Sequence, residues 1–177
     1  MSFLRNPHLD LTQEKIETNR CFIIPFSVDG RVDIHEVQQE FCKANKHLFV
    51  SSFLPSYEEE YDFIRNIEEG MKTGKSFENF IFLKDSGRFI GSIGLNSPEE
   101  ETMNIGLWIR EDECGKWYAT EIYSAIIDWA RTNVRYTFLK HSVSPENIAS
   151  IKLALKFQWV IQDVRSDRGD AIYYISL

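Results

Sequence analysis

The chain has 177 residues, of which 43% are hydrophobic and 14% aromatic, enough to bury the core of one domain spanning 1–177. Its 20 Lys and Arg stand against 27 Asp and Glu, a net charge of −7, so no basic footprint exists for gripping nucleic acid. An acidic balance suits cationic partners and equally suits plain solubility.

Apolar residues come in short runs such as 21–26 and 80–83, far below the roughly 20 that a membrane span needs. Residues 1–11 mix Arg5, His8 and Asp10 with no apolar stretch of a signal peptide, so a cytoplasmic protein without membrane partners is expected. Cys21, Cys42 and Cys114 are odd in number and widely spaced, which writes neither a disulfide framework nor a zinc site. No metal is expected.

In chain order, residues 18–26 read as a strand closing near Pro25. Ile34, Val37, Phe41 and Ala44 give a helical stripe over 32–46. Ser56 and Glu59 form an S-x-x-E capping box for a second helix, with Tyr57, Tyr61, Ile64, Ile67 and Met71 on one face and Gly74 as its stop. Residues 77–83 and 89–95 flank the turn Lys84-Asp85-Ser86-Gly87-Arg88 as a hairpin, and 103–109 adds a strand. A helix over 116–132 and a strand over 138–143 complete a β-α-β unit. Ser144 as N-cap and Pro145 at the first helical position start another helix running towards Phe157. Strands over 159–164 and 171–177 around the turn 166–170 close the chain as a hairpin, giving the order β-α-α-β-β-β-α-β-α-β-β. The last strand carries Ile172, Tyr173, Tyr174 and Ile175, and an apolar edge of that kind tends to pair, so a homodimer is expected.

The chemistry concentrates between the strand at 103–109 and the next helix. Gly115 allows a sharp turn whose backbone N–H groups point outward at a helix N-terminus, an anion nest, and Lys116 can add a charge. Glu111, Asp112 and Glu113 would repel a phosphate unless turned away, and an ordinary strand-to-helix turn explains the local sequence as well.

The surrounding order resembles the GNAT superfamily of acyl-CoA-dependent N-acyltransferases, and within it the branch of ribosomal-protein N-terminal acetyltransferases. The likeness runs from Thr18 to Leu177. Thr18, Arg20, Pro25 and Phe26 are similar to the branch's opening T-E-R-L-x-L-R-P-F; residues 89–95 resemble its I-G-x-I-x-L strand and 105–109 its I-G-Y-W-I strand. Gly115, Lys116, Tyr118, Ala119, Thr120 and Glu121 resemble G-K-G-Y-A-T-E, with Trp117 at the middle glycine and Cys114 at the Gln/Arg position of the pyrophosphate loop. Residues 145–152 resemble P-E-N-x-A-S-x-R/K.

The resemblance implies an α/β (α+β) fold with a mixed, mostly antiparallel sheet that splays between 103–109 and 138–143 to form a slot. It implies acetyl-CoA as co-substrate and direct acetyl transfer to a primary amine on a protein N-terminus, a polyamine or an amino sugar. Cys114, Gly115, Lys116, Trp117, Tyr118, Ala119 and Thr120 would hold the pyrophosphate, and backbone N–H groups at Leu107, Trp108 and Ile109 the thioester carbonyl. Asn147 and Ser150, one helical turn apart, would bond the pantetheine arm and the departing thiolate. Asn104 stands where the branch often has Glu, and an amide cannot accept a proton. Ala154 stands at the position of a family tyrosine that acts as acid, which leaves Ser150 as the donor. The residues 99–101, three glutamates, and His141 are further candidates for handling a proton. The alternative is a binding or regulatory module that keeps the fold without transfer, since Trp117, Asn104 and Ala154 depart from the pattern together.

Overall fold

The computed structural model describes residues 2–45, 56–96, 102–165 and 169–177. Helix α1 (Ile34–Asn45) is followed by α2 (Tyr57–Lys72), which begins at the expected capping box. Ser56 Oγ accepts from Glu59 N at 3.2 Å, and the Glu59 carboxylate accepts from Ser56 N at 2.7 Å. Two donors that the first turn leaves open are thereby satisfied.

Eight strands form one sheet: β1 (Ile16–Glu17), β2 (Cys21–Pro25), β3 (Phe77–Leu83), β4 (Phe89–Asn96), β5 (Thr102–Ile109), β6 (Phe138–Val143), β7 (Val160–Arg165) and β8 (Ala171–Ser176). Their order is β1-β2-β3-β4-β5-β6-β8-β7. Every neighbouring pair is antiparallel except β5 and β6. Helix α3 (Tyr118–Asn133) joins those two parallel strands, and α4 (Ile148–Lys156) follows β6.

Strand alternation assigns the faces. Phe77, Leu95 and Ile105 share one register row, and Phe77 stacks on Trp129 of α3 with ring centroids 4.3 Å apart, so α3 covers that face. Phe80, Ser92 and Trp108 share a row of the opposite face, where Trp108 meets Phe41 of α1 edge-on at 5.7 Å. The core between the layers includes Ile23, Ile81, Ile93, Leu95, Ile122 and Ile126, all fully buried.

Three expectations are corrected. Strand β1 was not foreseen. The final strand is not an edge: β8 lies between β6 and β7, and the open edge at that end belongs to β7, whose Val160 and Ile161 are 64% and 53% exposed. The basis offered for pairing between copies therefore moves from β8 to β7. Helix α4 is capped by Asn147 rather than Ser144, because residues 144–147 close as a turn (Asn147 N to Ser144 O, 2.9 Å) before the helix begins.

The parallel seam is what positions the site. It pairs only Thr102 with Phe138, Met103 with Leu139 and Asn104 with Lys140. Beyond Asn104 the two strands separate.

Candidate active site

A cavity of about 480 Å3 opens where β5 and β6 part. Leu107, Trp108 and Ile109 of β5 line it, together with Cys114, Gly115, Trp117, Tyr118, Ala119 and Thr120 before and in α3, and Asn147 and Ser150 of α4. Of the residues expected to bind the cofactor, only Lys116 is not part of the wall.

Lys116 is committed elsewhere. Its Nζ donates to Glu113 Oε2 at 2.7 Å, and Arg88 Nη1 donates to the other oxygen of Glu113 at 2.6 Å. Glu113 is 4% exposed, so its burial depends on these two cations. Asp112 is held by Arg88 and Arg110, which pull its carboxyl below the usual range. Asp112 and Glu113, which would repel a phosphate unless turned away, are thus neutralised within the protein. The cations that do line the cavity are Lys152 and Lys156, four residues apart on α4. The sequence signal for them is that i, i+4 spacing beside Asn147 and Ser150.

The turn into α3 supplies donors. Gly115 has φ 79° and Trp117 φ 69°, and Trp117 occupies the N-cap position without a side-chain cap. The first-turn N–H groups of α3, next to the cavity wall, are consequently not answered by a capping side chain. The left-handed backbone at 117 gives the physical reason for a glycine in the related pattern: a side chain there costs roughly 1–2 kcal/mol. The indole itself does not plug the cavity. It lies at the rim, 71% exposed, with Lys156 Nζ 4.8 Å from its ring centroid, and Lys156 also reaches Thr120 Oγ1 at 3.4 Å.

Arg20 anchors this turn, a role that sequence reasoning left unassigned. Its N and Nε donate to the two oxygens of Glu121, each at 2.7 Å, its Nη1 donates to Lys116 O at 2.9 Å, and its guanidinium lies 4.2 Å over the Tyr118 ring. The arginine just before β2 and the glutamate seven positions after Cys114 are therefore one clamp.

On α4, Asn147 Oδ1 accepts from Ser150 N at 3.1 Å. The asparagine carbonyl is thus used as a helix cap, which leaves its Nδ2 group for a ligand. Ala154 is fully buried and is not part of the cavity wall.

At the seam, His141 takes over where the backbone ladder stops. Its Nδ1 is 3.2 Å from Ile105 O and 3.3 Å from Tyr123 Oη, and a carbonyl can only accept, so Nδ1 carries the proton. The next rung after Asn104 and Lys140 is a side-chain bond instead of a backbone one. Burial pushes the His141 pKa down and that of the buried Tyr123 up, so both stay neutral near pH 7. His141 Nε2 has no hydrogen-bond partner among the described residues. Asn104 lies on β5 in register with Asn96, on the face that α1 covers. Residues 99–101 fall outside the described residues.

This architecture agrees with the comparison to known proteins, because residues 20–159 match the sequence profile of the Acetyltransferase (GNAT) domain. The chain belongs to the GNAT acetyltransferase family. A curated relative, the uncharacterized N-acetyltransferase p20 of Bacillus licheniformis, is 30% identical over 124 residues, 66% of this chain and 70% of that protein. Among solved structures, the ribosomal L7/L12 alpha-N-protein acetyltransferase RimL in complex with coenzyme A superposes with a TM-score of 0.76 at 16% identity, covering 93% of this chain and 98% of that one. The microcin C7 self-immunity acetyltransferase MccE, in complex with acetyl-CoA and AMP, gives a TM-score of 0.73 at 17% identity, covering 95% and 99%. The GNAT fold is shared with both.

Proposed function

We propose that this GNAT protein transfers an acetyl group from acetyl-CoA to a primary amine. The observation that carries the reading is the convergence, on one cavity, of an uncapped helix N-terminus, two lysines and the opened edge of β5. These are the groups that an acyl carrier with phosphates at one end and a thioester at the other requires. When bound, acetyl-CoA supplies an activated acyl group.

The chain's own residues then divide the work. First-turn N–H groups of α3, with Lys152 and Lys156, hold the phosphates. Asn147 Nδ2 bonds the pantetheine arm, β5 N–H groups beyond Asn104 polarise the thioester carbonyl, and the Ser150 hydroxyl donates to the sulfur as charge develops on it. No covalent enzyme intermediate is required. The acceptor is an amine of a protein N-terminus, a polyamine or an amino sugar, all cationic and all suited to a chain of net charge −7. In solution two copies pair through the open β7 edge, and a monomer by sedimentation at micromolar concentration contradicts that.

Calorimetry with acetyl-CoA, joined to thiol release across a peptide with N-terminal serine, spermidine and glucosamine, tests the reading. Binding with turnover of one amine supports it. Binding without turnover of any amine favours a binding module, and no binding at millimolar acetyl-CoA removes the cofactor assignment.

A further inference from the structure

Glu78 is a carboxyl without an evident structural reason to be where it is. It sits on β3, 8% exposed, on the sheet face that α1 covers. Its register row runs Glu78, Gly94, Gly106 across β3, β4 and β5. The carboxyl lies directly over Gly94: a Cβ built there would come within 1.6 Å of Glu78 Oε2, so only glycine leaves room for it. One strand further, Gly106 is exposed, and a Cβ built on it would meet nothing within 4 Å. Two bare glycines thus make a trough with Glu78 at its closed end and open space at its other end, and Trp108, next on the same face of β5, belongs to the cavity wall.

The carboxyl has few calls on it. Its hydrogen-bond donor is Asn96 Nδ2, at 2.5 Å, and among the described residues no lysine or arginine pairs with it. The acids turned into the same layer are engaged or distant: Glu40 of α1 pairs with Lys43 and Arg110, and Glu68 of α2 accepts from Val28 N. Burial raises the pKa of Glu60 of α2, and burial together with Glu60 raises that of Cys42 of α1; Glu78 is a cause of neither shift. Lys140 stands in the row of Asn96 and Asn104, on the far side of β5. A buried acid lacking a cation is costly to keep and marks a place where a cation is to be received.

We propose that the trough is the acceptor site and that Glu78 receives the acceptor's ammonium group and removes its proton. This deepens the acetyltransferase reading and rests on it. The acceptor R–NH3+ gives one proton to the Glu78 carboxylate, and the freed lone pair forms the C–N bond at the thioester carbonyl. The C–S bond breaks with its electron pair going to sulfur, which takes up the second proton lost by nitrogen. The products are R–NH–acetyl and the CoA thiol, and Glu78 returns its proton to water. Burial lifts the Glu78 pKa to about 7, the range in which a carboxylate can both accept and release a proton at neutral pH.

The test uses Glu78→Gln, Glu78→Asp and Gly94→Ala with acetyl-CoA at saturation and the same three amines. Glu78→Gln is expected to lower kcat/KM for the preferred amine by roughly a hundredfold or more at pH 7, with acetyl-CoA affinity within about twofold. The wild-type rate should rise with pH through an inflection near 7, as its base loses a proton, and Glu78→Gln should abolish that limb. Gly94→Ala, which displaces the carboxyl without removing it, should lose turnover in the same way, and Glu78→Asp should recover part of it. Stability separates chemistry from folding. The folded protein keeps the Glu78 proton to about pH 7 while an unfolded glutamate releases it near 4.5, so wild-type stability falls from pH 4.5 to 7, and Glu78→Gln should melt higher than wild type at pH 8. Turnover of Glu78→Gln within threefold of wild type, or an unchanged limb, overturns the assignment while leaving the acetyltransferase reading intact. Absence of turnover by wild type with every amine overturns both.

Discussion

Two helices begin at the same cavity and treat their first turns in opposite ways. Helix α4 answers its own, through Asn147 Oδ1 on Ser150 N, whereas α3 starts at Trp117 with positive φ and no side-chain cap. A helix that satisfies its own donors acts on a ligand through side chains, and one that leaves them open acts through its backbone. That difference separates two kinds of sequence departure. Trp117 replaces a glycine of the related pattern yet leaves the donors in place, while the side chains on α4 have no backbone substitute.

The largest effect should come from the α4 side. Ser150→Ala is expected to lower turnover by roughly ten- to a thousandfold with little change in acetyl-CoA affinity, read by steady-state kinetics and calorimetry, because its bond strengthens as charge builds on sulfur. Equal turnover would remove Ser150 from the mechanism. Next comes the clamp behind the open turn. Arg20→Ala removes the Nε bond to Glu121 and the contacts with Lys116 O and Tyr118 while keeping the backbone N–H bond to Glu121, and acetyl-CoA affinity is expected to fall about tenfold with smaller change in kcat once saturated, since the loop and not the acyl end is loosened. Asn147→Ala removes a cap and, on the proposed function, a ligand contact at once. It should cost about 1 kcal/mol in a denaturant melt and weaken acetyl-CoA binding as well; loss of stability alone would reduce Asn147 to a cap. The smallest effect belongs to Trp117→Gly. Relief of a left-handed tryptophan, roughly 1–2 kcal/mol, meets or exceeds loss of its contact with Lys156, about 0.5–1 kcal/mol, so stability should hold or rise by about 1 kcal/mol and acetyl-CoA binding should be equal or tighter.

What could be read in the sequence follows the range of the forces involved. The α2 capping box is a contact between Ser56 and Glu59, three residues apart, and it stands as written. The β5-α3-β6 unit and its splay follow from spacing and resemblance. Strand β1 is two residues long and leaves no periodicity to find. Nothing within 171–176 records that its neighbour is β6 across α4, so its interior position was illegible. The four residues before α4 include Ser144 and Asn147, both able to cap, and the turn that chooses between them is a tertiary matter. Lys116 looked available because its pairing with Glu113, three residues before it, is made by burying that carboxylate, and the burial depends on Arg88, 25 residues away in the chain.

The seam has a mechanical consequence. Among the described residues, the ladder between two plates, β1–β5 and β6–β8, has three residue pairs followed by the His141 bond to Ile105, so the backbone joint between them is short compared with either plate. Whatever fills the gap touches both plates and works as a splint, adding stiffness that the covalent chain does not supply. At a hundred times its dissociation constant such a splint contributes about 2.7 kcal/mol to the stability of the whole. Thermal melting across a series of substrate concentrations then reads how tightly that gap is filled, through the ratio of concentration to dissociation constant.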